Sequence, residues 1–279
     1  MMIRPKKHLG QHFLRDENIA RKIVSYLNPA WPLVLEIGPG MGVLTKYILE
    51  IPGLDPWFME VDRESVEYLK GFFPGISDRL IQADFLSYDL NGFPPAGNPA
   101  PAENGIDQNP LAKFTVIGNF PYNISSQILF KVLESRDRVP EVIGMFQKEV
   151  AERLAAPPGS KTYGIISVLL QAFYDIEYLF TVNESVFSPP PKVKSAVIRL
   201  QRNNTAKLAC DETFFIRLVK TAFNQRRKTL RNAIRSMLPP QDIATRSSIL
   251  SSYLDLRAER LSVEDFVQLA IELSRHNGI

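Results

Sequence analysis

The stretch Val34-Leu35-Glu36-Ile37-Gly38-Pro39-Gly40-Met41-Gly42 decides the fold of this 279-residue chain. Its first four residues form a mostly apolar run that is typical of a buried β-strand. The three glycines then predict a turn that lets the backbone pass close to a ligand at the carboxyl edge of a sheet. Their spacing differs from the G-x-G-x-x-G fingerprint of dinucleotide-binding sites. A glycine-rich turn is weak evidence by itself, so the rest of the chain has to supply its context.

Short apolar runs elsewhere in the chain repeat this arrangement of strand, turn and helix-like sequence. That alternation predicts an α/β fold, in which helices flank a parallel sheet. A helix-like stretch at 163–172 leads into two further candidate strands at the end of the sheet. In chain order, the predicted strands are 34–37, 57–61, 79–83, 114–118, 142–146, 177–182 and 195–200.

An acidic residue ends the second predicted strand. The carboxylate of Glu60 at this position can accept hydrogen bonds from both hydroxyls of a ribose. Asp62 lies two residues further on and would share the same face if the strand continued. We favour Glu60 because it lies at the end of the apolar run. A solvated carboxylate without a ligand is the other interpretation of Glu60.

The third and fourth strands also end in polar groups. Asp84 could accept from the amino group of a cofactor's adenine, with Phe85 supporting the ring, and Asn119 follows the fourth strand. The carboxyl ends of parallel strands meet at one edge of a sheet, so these groups converge on a single crevice beside Gly38 and Gly40. A nucleoside cofactor that carries a sulfonium needs no phosphate-binding turn. We therefore predict S-adenosyl-L-methionine as the cofactor.

The tetrapeptide Asn119-Phe120-Pro121-Tyr122 combines an amide, a proline-stiffened backbone and an aromatic ring. The Asn119 side-chain oxygen and a backbone carbonyl beside Pro121 can each accept a hydrogen bond from the N6 amino group of an adenine, while Tyr122 stacks on the base. Such acceptors would favour the tetrahedral nitrogen formed during alkylation. An ordinary strand-to-helix turn is the alternative, because Asn and Pro are common turn residues.

The sequence changes character at 201–211, and we place a domain boundary between residues 203 and 204. Apolar positions at helical spacing predict a helix across 213–238, and Ser262 with Asp265 indicates the start of another helix. A small all-helical domain is the economical interpretation. The neighbouring face of the first helix is basic, which favours RNA binding over a merely solvated face. The predicted RNA-binding residues are Arg227, Lys228, Arg231 and Arg235, and Arg4, Lys6 and Lys7 add a second basic cluster.

The segment 91–113 is rich in proline, with glycine and asparagine between the prolines. This composition predicts a long surface loop just before the strand that carries the tetrapeptide. The loop is either a tolerated insertion or a lid, and we favour the insertion because loop length adds little entropic cost.

Composition limits the remaining possibilities. A hydrophobic fraction of 45% and a charged fraction of 23% are typical of a soluble globular protein, and the net charge of +3 permits an anionic partner. The single cysteine, Cys210, excludes an intramolecular disulfide, and three scattered histidines argue against a metal site. No apolar run approaches the roughly 20 residues that span a bilayer. We expect a cytoplasmic protein with no membrane partner and no secretory signal.

The stretch Lys7-His8-Leu9-Gly10-Gln11-His12-Phe13-Leu14 opens a series of motifs that continues through 36–45, Glu60, 83–85, 119–125, 187–193 and 223–228. Taken in order, these motifs closely resemble the ribosomal RNA adenine N6,N6-dimethyltransferase family, which also includes macrolide-resistance methyltransferases and mitochondrial transcription-factor relatives. The resemblance runs nearly end to end. It implies a Rossmann-like S-adenosylmethionine-dependent methyltransferase domain followed by a helical RNA-recognition domain.

The resemblance also implies roles for individual residues. The positions that contact S-adenosylmethionine would be His12, Leu14, Gly38, Glu60, Asp84 and Asn119. His12 departs from the family, which often has Asn there, and its contact would be made largely through the backbone. Phe120 replaces the more usual Leu or Ile. Phe187 is a candidate for stacking on the target adenine together with Tyr122, and a core aromatic is its equally weighted alternative.

The substrate implied by the resemblance is a pair of adjacent adenines in the 3'-terminal hairpin loop of 16S ribosomal RNA, within an immature small subunit, each dimethylated at N6. We expect the enzyme to be a monomer. A resistance enzyme that methylates 23S ribosomal RNA is the nearest alternative. A ribosome-assembly factor that binds RNA without catalysis comes next, and a nicotinamide dehydrogenase is a distant fourth possibility.

Overall fold

The computed structural model describes residues 5–6, 9–95, 112–238 and 248–277. The chain divides into two compact units. The first unit comprises Met1–Ala151 and Glu177–Arg202, and the second comprises Glu152–Ile176 and Asn203–Ile279. The C-terminal part of the second unit begins at Asn203, so the predicted boundary between residues 203 and 204 differs from it by one residue. The segment Glu152–Ile176, which we expected in the first domain, belongs to the second unit.

A seven-stranded sheet forms the centre of the first unit, and its last strand begins in the second unit. In chain order, the strands of the described residues are β1 Phe13–Leu14, β2 Leu33–Ile37, β3 Asp55–Glu60, β4 Leu80–Gln82, β5 Thr115–Asn119, β6 Glu141–Gln147, β7 Tyr174–Val182, β8 Phe187–Ser188 and β9 Ser195–Arg202. Along the seven-stranded sheet they follow the order β4-β3-β2-β5-β6-β9-β7. The other two strands, β1 and β8, pair with each other in a small antiparallel sheet.

Parallel pairing runs from β4 to β6, and β9 then joins β6 in the antiparallel direction. Every residue of β2 is buried, and Leu35 lies opposite Trp57 of β3 and Val116 of β5. The chain runs from β2 to β3 and β4 on one side and returns to β5 on the other. Such a reversal of strand order opens a crevice at the carboxyl ends of the strands. The predicted α/β fold is confirmed.

Helices of the first unit cover the sheet with amphipathic faces. On α1 (Glu17–Val24), the buried side chains are Ala20, Ile23 and Val24. The Asp16 carboxylate caps this helix by accepting from the N–H groups of Asn18 and Ile19. The helices assigned wholly or mainly to this unit are α1 Glu17–Val24, α2 Thr45–Ile48, α3 Arg63–Phe72, α4 Ser125–Glu134 and α5 Lys148–Leu154.

Helices also dominate the second unit, where α6 (Ile165–Gln171) and α10 (Val263–Asn277) both pack against α7 (Glu212–Asn224). The packing of α6 against α7 explains why the segment that carries α6 belongs to this unit. Ser262 and Asp265 form the predicted cap of α10, because the Ser262 hydroxyl accepts from the Asp265 N–H at 3.1 Å and the Asp265 carboxylate accepts from the Ser262 N–H at 2.9 Å. The helices are α6 Ile165–Gln171, α7 Glu212–Asn224, α8 Leu230–Ala233, α9 Ser248–Leu254 and α10 Val263–Asn277.

The prediction of one helix across 213–238 is wrong. Helix α7 ends at Asn224, because Gln225 has φ −118° and ψ 46°, which lies outside the helical region. A turn follows, and α8 begins only after Thr229. The apolar positions of both pieces, such as Val219 and Leu230, are buried as expected. Helical spacing therefore identified buried positions within each helix, but it did not reveal that the helix ends at Asn224.

A buried arginine holds the base of the proline-rich segment. Arg138 is 5% exposed, and its guanidinium donates to the backbone carbonyls of Leu90, Phe93 and Ala112. These contacts bring the two described ends of the segment together. Most of the predicted surface loop, residues 96–111, lies outside the described part of the chain.

Two glycines in neighbouring strands make room for the ring of Phe120. Gly118 of β5 lies opposite Gly144 of β6. A Cβ atom on Gly118 would lie 2.7 Å from the Phe120 ring and 2.7 Å from the Ile37 carbonyl oxygen. A Cβ atom on Gly144 would overlap the rings of Phe120 and Phe146. The tetrapeptide is therefore anchored in the sheet by an aromatic side chain that is 1% exposed.

Glu36 is a buried carboxyl group within β2. Its side chain accepts a hydrogen bond from the Thr45 hydroxyl at 2.7 Å. Burial raises the pKa of Glu36 to about 8, and the nearby charge of Glu60 adds to the increase. The carboxyl group is therefore largely protonated in the folded protein at neutral pH, although it ionises near pH 4.5 when unfolded.

We expect the Glu36→Gln variant to remove a pH dependence of stability. The raised pKa means that folding binds a proton, so the stability contributed by the neutral carboxyl is lost as pH rises from about 4.5 to about 8. A glutamine can still accept from Thr45 but does not ionise. Urea unfolding at several pH values between 5 and 8 should show the wild type losing roughly 2–4 kcal/mol relative to the variant. Parallel curves for the two proteins would contradict this.

Gly144→Ala should destabilise the protein by about 1–3 kcal/mol, because the added methyl group displaces the Phe120 ring. Adding Phe120→Leu to this variant should restore much of the stability, since the smaller side chain leaves room for the methyl group. Thermal and urea unfolding measure both effects. The matched control is Gly71→Ala on α3, where a Cβ would meet nothing within 4 Å. An unaffected Gly144→Ala protein, or a double variant less stable than either single one, would refute this packing.

Candidate active site

A cleft lies at the carboxyl edge of the sheet in the first unit. It contains every residue that we predicted to bind the cofactor, namely His12, Leu14, Gly38, Gly40, Glu60, Asp84, Phe85 and Asn119. Pro121 and Tyr122 also line it. The lining residues come from 9–14, 36–41, 43–44, 59–61, 83–86 and 119–124. The convergence predicted from the strand ends is therefore what the fold produces.

Two glycines of the turn after β2, Gly38 and Gly40, line the cleft. Gly38 and Gly40 have φ angles of 66° and 56°, in the left-handed region that disfavours residues with a side chain. A Cβ on Gly40 would lie 3.0 Å from the Phe13 ring, whereas one on Gly38 would meet nothing within 4 Å. The backbone at Gly38 therefore faces open space, where a ligand can approach closely.

Glu60 joins the end of β3 to this turn. Its carboxylate accepts from the Gly40 N–H at 3.0 Å and from the Asp62 N–H at 2.9 Å. Burial raises the pKa of Glu60, while these backbone donors oppose the increase. Each carboxylate oxygen keeps acceptor capacity beyond the backbone bond it makes. The carboxylate is thus oriented and can still accept from a diol.

Asp62, the alternative to Glu60, has a different environment. Its carboxylate accepts from the Ser65 hydroxyl at 3.0 Å and pairs with the ammonium group of Lys6. Asp62 does not line the cleft. The ion pair also occupies Lys6, which we expected in a basic RNA-binding cluster, and Arg4 and Lys7 lie outside the described residues.

Asp84 and Phe85 form a turn after β4. The Asp84 carboxylate accepts from the Leu86 N–H at 2.9 Å, and the Phe85 ring is buried. The ammonium group of Lys131 donates to the carbonyls of Leu86 and Tyr88 and lies 5.6 Å from the centre of the Phe85 ring. Lys131 therefore holds this turn in place. The sequence carried no signal for that role, because Lys131 belongs to a helix 45 residues away from Leu86.

The tetrapeptide sits where β5 ends. The Asn119 side-chain nitrogen donates to the His12 carbonyl at 2.9 Å, which fixes the amide orientation and leaves its oxygen to act as an acceptor. The Pro121 carbonyl accepts from the Ile124 N–H at 3.2 Å, and a carbonyl oxygen can accept a second bond. Tyr122 is half-buried, and burial raises the pKa of its hydroxyl, so the phenol stays neutral at physiological pH.

Phe187 does not reach the cleft. Its side chain is 3% exposed and belongs to the hydrophobic core that also contains Leu14 and Val197. Strand β8 pairs with β1 and turns the ring inward, with Leu14 opposite Phe187 in the register. The position of this ring supports the core alternative and not the stacking role that we predicted.

The predicted RNA-binding residues are exposed side chains of the second unit, but they do not share one helix face. Arg227 and Lys228 lie in the turn after α7, Arg231 lies in α8, and Arg235 begins a 3₁₀ turn. The Arg231 guanidinium also donates to the Asp255 carboxylate at 3.0 Å, which partly neutralises its charge. The four basic residues are therefore spread over a turn, α8 and a 3₁₀ turn, and they do not form the continuous stripe along one helix that we expected.

The described residues contain no group of three or more His, Cys, Asp or Glu side chains that could hold a metal ion. Within the same residues, no helix combines the length and apolar character needed to cross a membrane.

Comparisons with known proteins give the family of this chain. The family model described as "Ribosomal RNA adenine dimethylase" matches residues 2–275. The chain is 55% identical to the ribosomal RNA small subunit methyltransferase A of Cytophaga hutchinsonii over 274 residues, which cover 98% of each chain. It is 52% identical to the protein of the same name from Parabacteroides distasonis over 278 residues, which cover 99% of this chain and 96% of the relative.

Solved structures show the same fold at low sequence identity. A dimethyladenosine transferase from Plasmodium falciparum has a TM-score of 0.74 at 24% identity and covers 95% of this chain and 98% of its own. The 23S rRNA methyltransferase ErmE has a TM-score of 0.68 at 22% identity, covering 94% of this chain and 99% of its own. From the family match and the close relatives together, we conclude that this chain belongs to the ribosomal RNA adenine dimethylase family.

Proposed function

We propose that the protein dimethylates N6 of two adjacent adenines in the 3'-terminal hairpin loop of 16S ribosomal RNA, using S-adenosyl-L-methionine. The observation that carries this proposal is the position of Asn119, Pro121 and Tyr122 in the same cleft as Glu60 and the glycine-rich turn. The family supplies the reaction class. The names of the close relatives, which refer to the small ribosomal subunit, support the choice of substrate.

The cleft fits a nucleoside cofactor. The Glu60 carboxylate suits the two hydroxyls of a ribose, and the open space beside Gly38 admits a group close to the backbone. Asp84, which lines the cleft, would accept from the amino group of the cofactor's adenine, and Phe85 would give the adenine ring an apolar contact. His12 and Leu14 would contribute mainly backbone and apolar contacts. S-adenosylmethionine, once bound, would supply an electrophilic methyl group.

The residues of the tetrapeptide would act on the target adenine. The Asn119 oxygen and the Pro121 carbonyl accept hydrogen bonds from the N6 amino group and favour its tetrahedral, cationic form. Tyr122 stacks on the extruded base and holds the nitrogen in attack geometry, so that positioning provides most of the rate. Its aromatic face also helps to tolerate the transient positive charge. The cationic product amine is acidic enough to release its proton to water.

The exposed basic residues would bind the RNA backbone. Arg227, Lys228 and Arg235 are the stronger candidates, because Arg231 already pairs with Asp255. Phosphate contacts of this kind should make RNA binding strongly dependent on salt. We place the enzyme in the cytoplasm as a monomer that acts on an immature small subunit.

A methylation assay tests the function. Wild-type protein with labelled cofactor should modify immature small subunits at two adjacent adenines of the 3'-terminal hairpin, and large-subunit RNA should remain unlabelled. Asn119→Ala should reduce transfer at least about 100-fold while RNA binding stays nearly unchanged, because it removes an acceptor for the reacting amine. Exclusive labelling of large-subunit RNA would overturn the substrate. Full activity of the Asn119→Ala protein would overturn the role of the tetrapeptide.

Calorimetric titration separates Glu60 from Asp62. We expect Glu60→Ala to weaken cofactor binding by about 10–100-fold, because hydrogen bonds from two hydroxyls to a carboxylate are lost. Asp62→Asn is the matched control and should change the cofactor Kd by less than about twofold, since its carboxylate contacts Ser65 and Lys6 instead. Thermal unfolding verifies that both variants are folded. A larger loss in Asp62→Asn than in Glu60→Ala would reverse the assignment.

A further inference from the structure

The Tyr122 side chain is held at its edge and on one face. Its hydroxyl shares a hydrogen bond of 2.5 Å with the Ser195 hydroxyl. The imidazole of His12 stacks on its ring, with 5.4 Å between ring centroids and 27° between planes. Each of the two partners comes from a part of the chain remote from Tyr122, and neither contact is needed to form the turn that carries it.

Ser195 is a rigid support. It is 0% exposed and begins β9, where it lies opposite Gln147 of β6 in the antiparallel register. The carbonyl of the preceding residue, Lys194, accepts from the Lys148 N–H at 2.9 Å, so a backbone hydrogen bond also holds the chain just before β9. Ser195 does not line the cleft. A buried hydroxyl on a paired strand can therefore fix the phenol hydroxyl without touching a bound base.

His12 is held by two hydrogen bonds, one through its backbone and one through its ring. Its carbonyl accepts from Asn119, and its Nδ1 lies 2.8 Å from the Pro189 carbonyl oxygen. A carbonyl oxygen only accepts, so Nδ1 carries the hydrogen and donates. The ring is thus anchored to the segment that leads into Ser195, and it covers one face of Tyr122. One residue thereby orients both the Asn119 amide and the Tyr122 ring.

We propose that Ser195 and His12 are positioning residues for methyl transfer, which act by fixing the Tyr122 ring before the target base arrives. The inference rests on the proposed function. A phenol held at its edge and on one face presents its other face at a defined angle to a planar base. Releasing either support lets the ring rotate, so the base is bound with a wider range of orientations. The rate of transfer then falls, whereas cofactor affinity changes little, because Ser195 does not line the cleft and the contact expected between His12 and the cofactor is made mainly through the backbone.

A double-mutant cycle tests the role of Ser195. Ser195→Ala and Tyr122→Phe each break the hydroxyl pair, and each should lower kcat about tenfold, with the cofactor Kd changed by less than about twofold. Ser195→Ala should have little further effect in the Tyr122→Phe background, since the bond it makes is already lost. Fully additive losses would show that Ser195 acts independently of the Tyr122 hydroxyl and would overturn its positioning role.

Thr115→Val is the matched control for Ser195→Ala. Thr115 is also 0% exposed on a strand of the same sheet, and its hydroxyl has no hydrogen-bond partner among the described residues. Removing it should leave kcat unchanged. If Thr115→Val lowers kcat as much as Ser195→Ala does, the loss reflects a general disturbance of the sheet, and the proposal fails.

The role of His12 is tested by removing and restoring its ring. His12→Ala should lower kcat about three- to tenfold and change the cofactor Kd by less than about threefold, because the backbone that would contact the cofactor is retained; His12→Phe should recover part of the loss in kcat by replacing the stacked face. An RNA hairpin with 2-aminopurine at the target position reports whether the base is held in one stacked state. Its fluorescence should be less quenched with His12→Ala. Wild-type kcat and fluorescence in His12→Ala would overturn this part.

The wild-type reaction distinguishes failure of this inference from failure of the proposed function. If the wild-type protein transfers no methyl group to small-subunit RNA, the proposed function fails. If the wild type is active and Ser195→Ala and His12→Ala both match it, only the positioning of Tyr122 is refuted.

Discussion

The hydrogen bond from the Gly40 N–H to the Glu60 carboxylate joins the ends of two neighbouring parallel strands. It requires a left-handed turn after β2 and a buried carboxylate at the end of β3. A buried carboxylate without donors would be costly, and the turn without an acceptor would leave a buried N–H unpaired. Each element satisfies the other. The cleft keeps its shape because of this mutual requirement, and the acceptor that suits a ribose is oriented before any ligand binds.

The reactive side of the cleft depends on packing beneath it. Phe120 fills the space above Gly118 and Gly144, so the turn carrying Asn119 and Tyr122 cannot tilt without moving a buried ring. The Asn119 side chain donates a hydrogen bond to the His12 carbonyl and so ties this turn to the segment from His12 to Leu14. That segment in turn pairs with Phe187 and Ser188. Parts of the chain more than 100 residues apart thus meet at one tyrosine.

Strand ends were the most predictable part of this protein. Apolar runs predicted β2, β3, β5 and β6 to within about two residues, and the parallel arrangement then required Glu60, Asp84 and Asn119 to converge. The helical tail was less predictable, because periodicity continues across the break at Gln225 and turns carry weaker signals. Phe187 could not be assigned from sequence, since an aromatic residue beside prolines suits a core and a binding site equally well.

By itself the sequence determined the α/β class, the glycine-rich turn, the acidic strand ends and the resemblance to one family, because each depends on local spacing along the chain. Tertiary structure alone decided that Glu60 and not Asp62 faces the cleft, that Lys131 holds the turn at Asp84, and that Phe187 is buried. It also decided that Ser195 and His12 converge on Tyr122. These outcomes rest on contacts between distant segments, whose geometry follows from strand register and burial and has no counterpart in residue spacing.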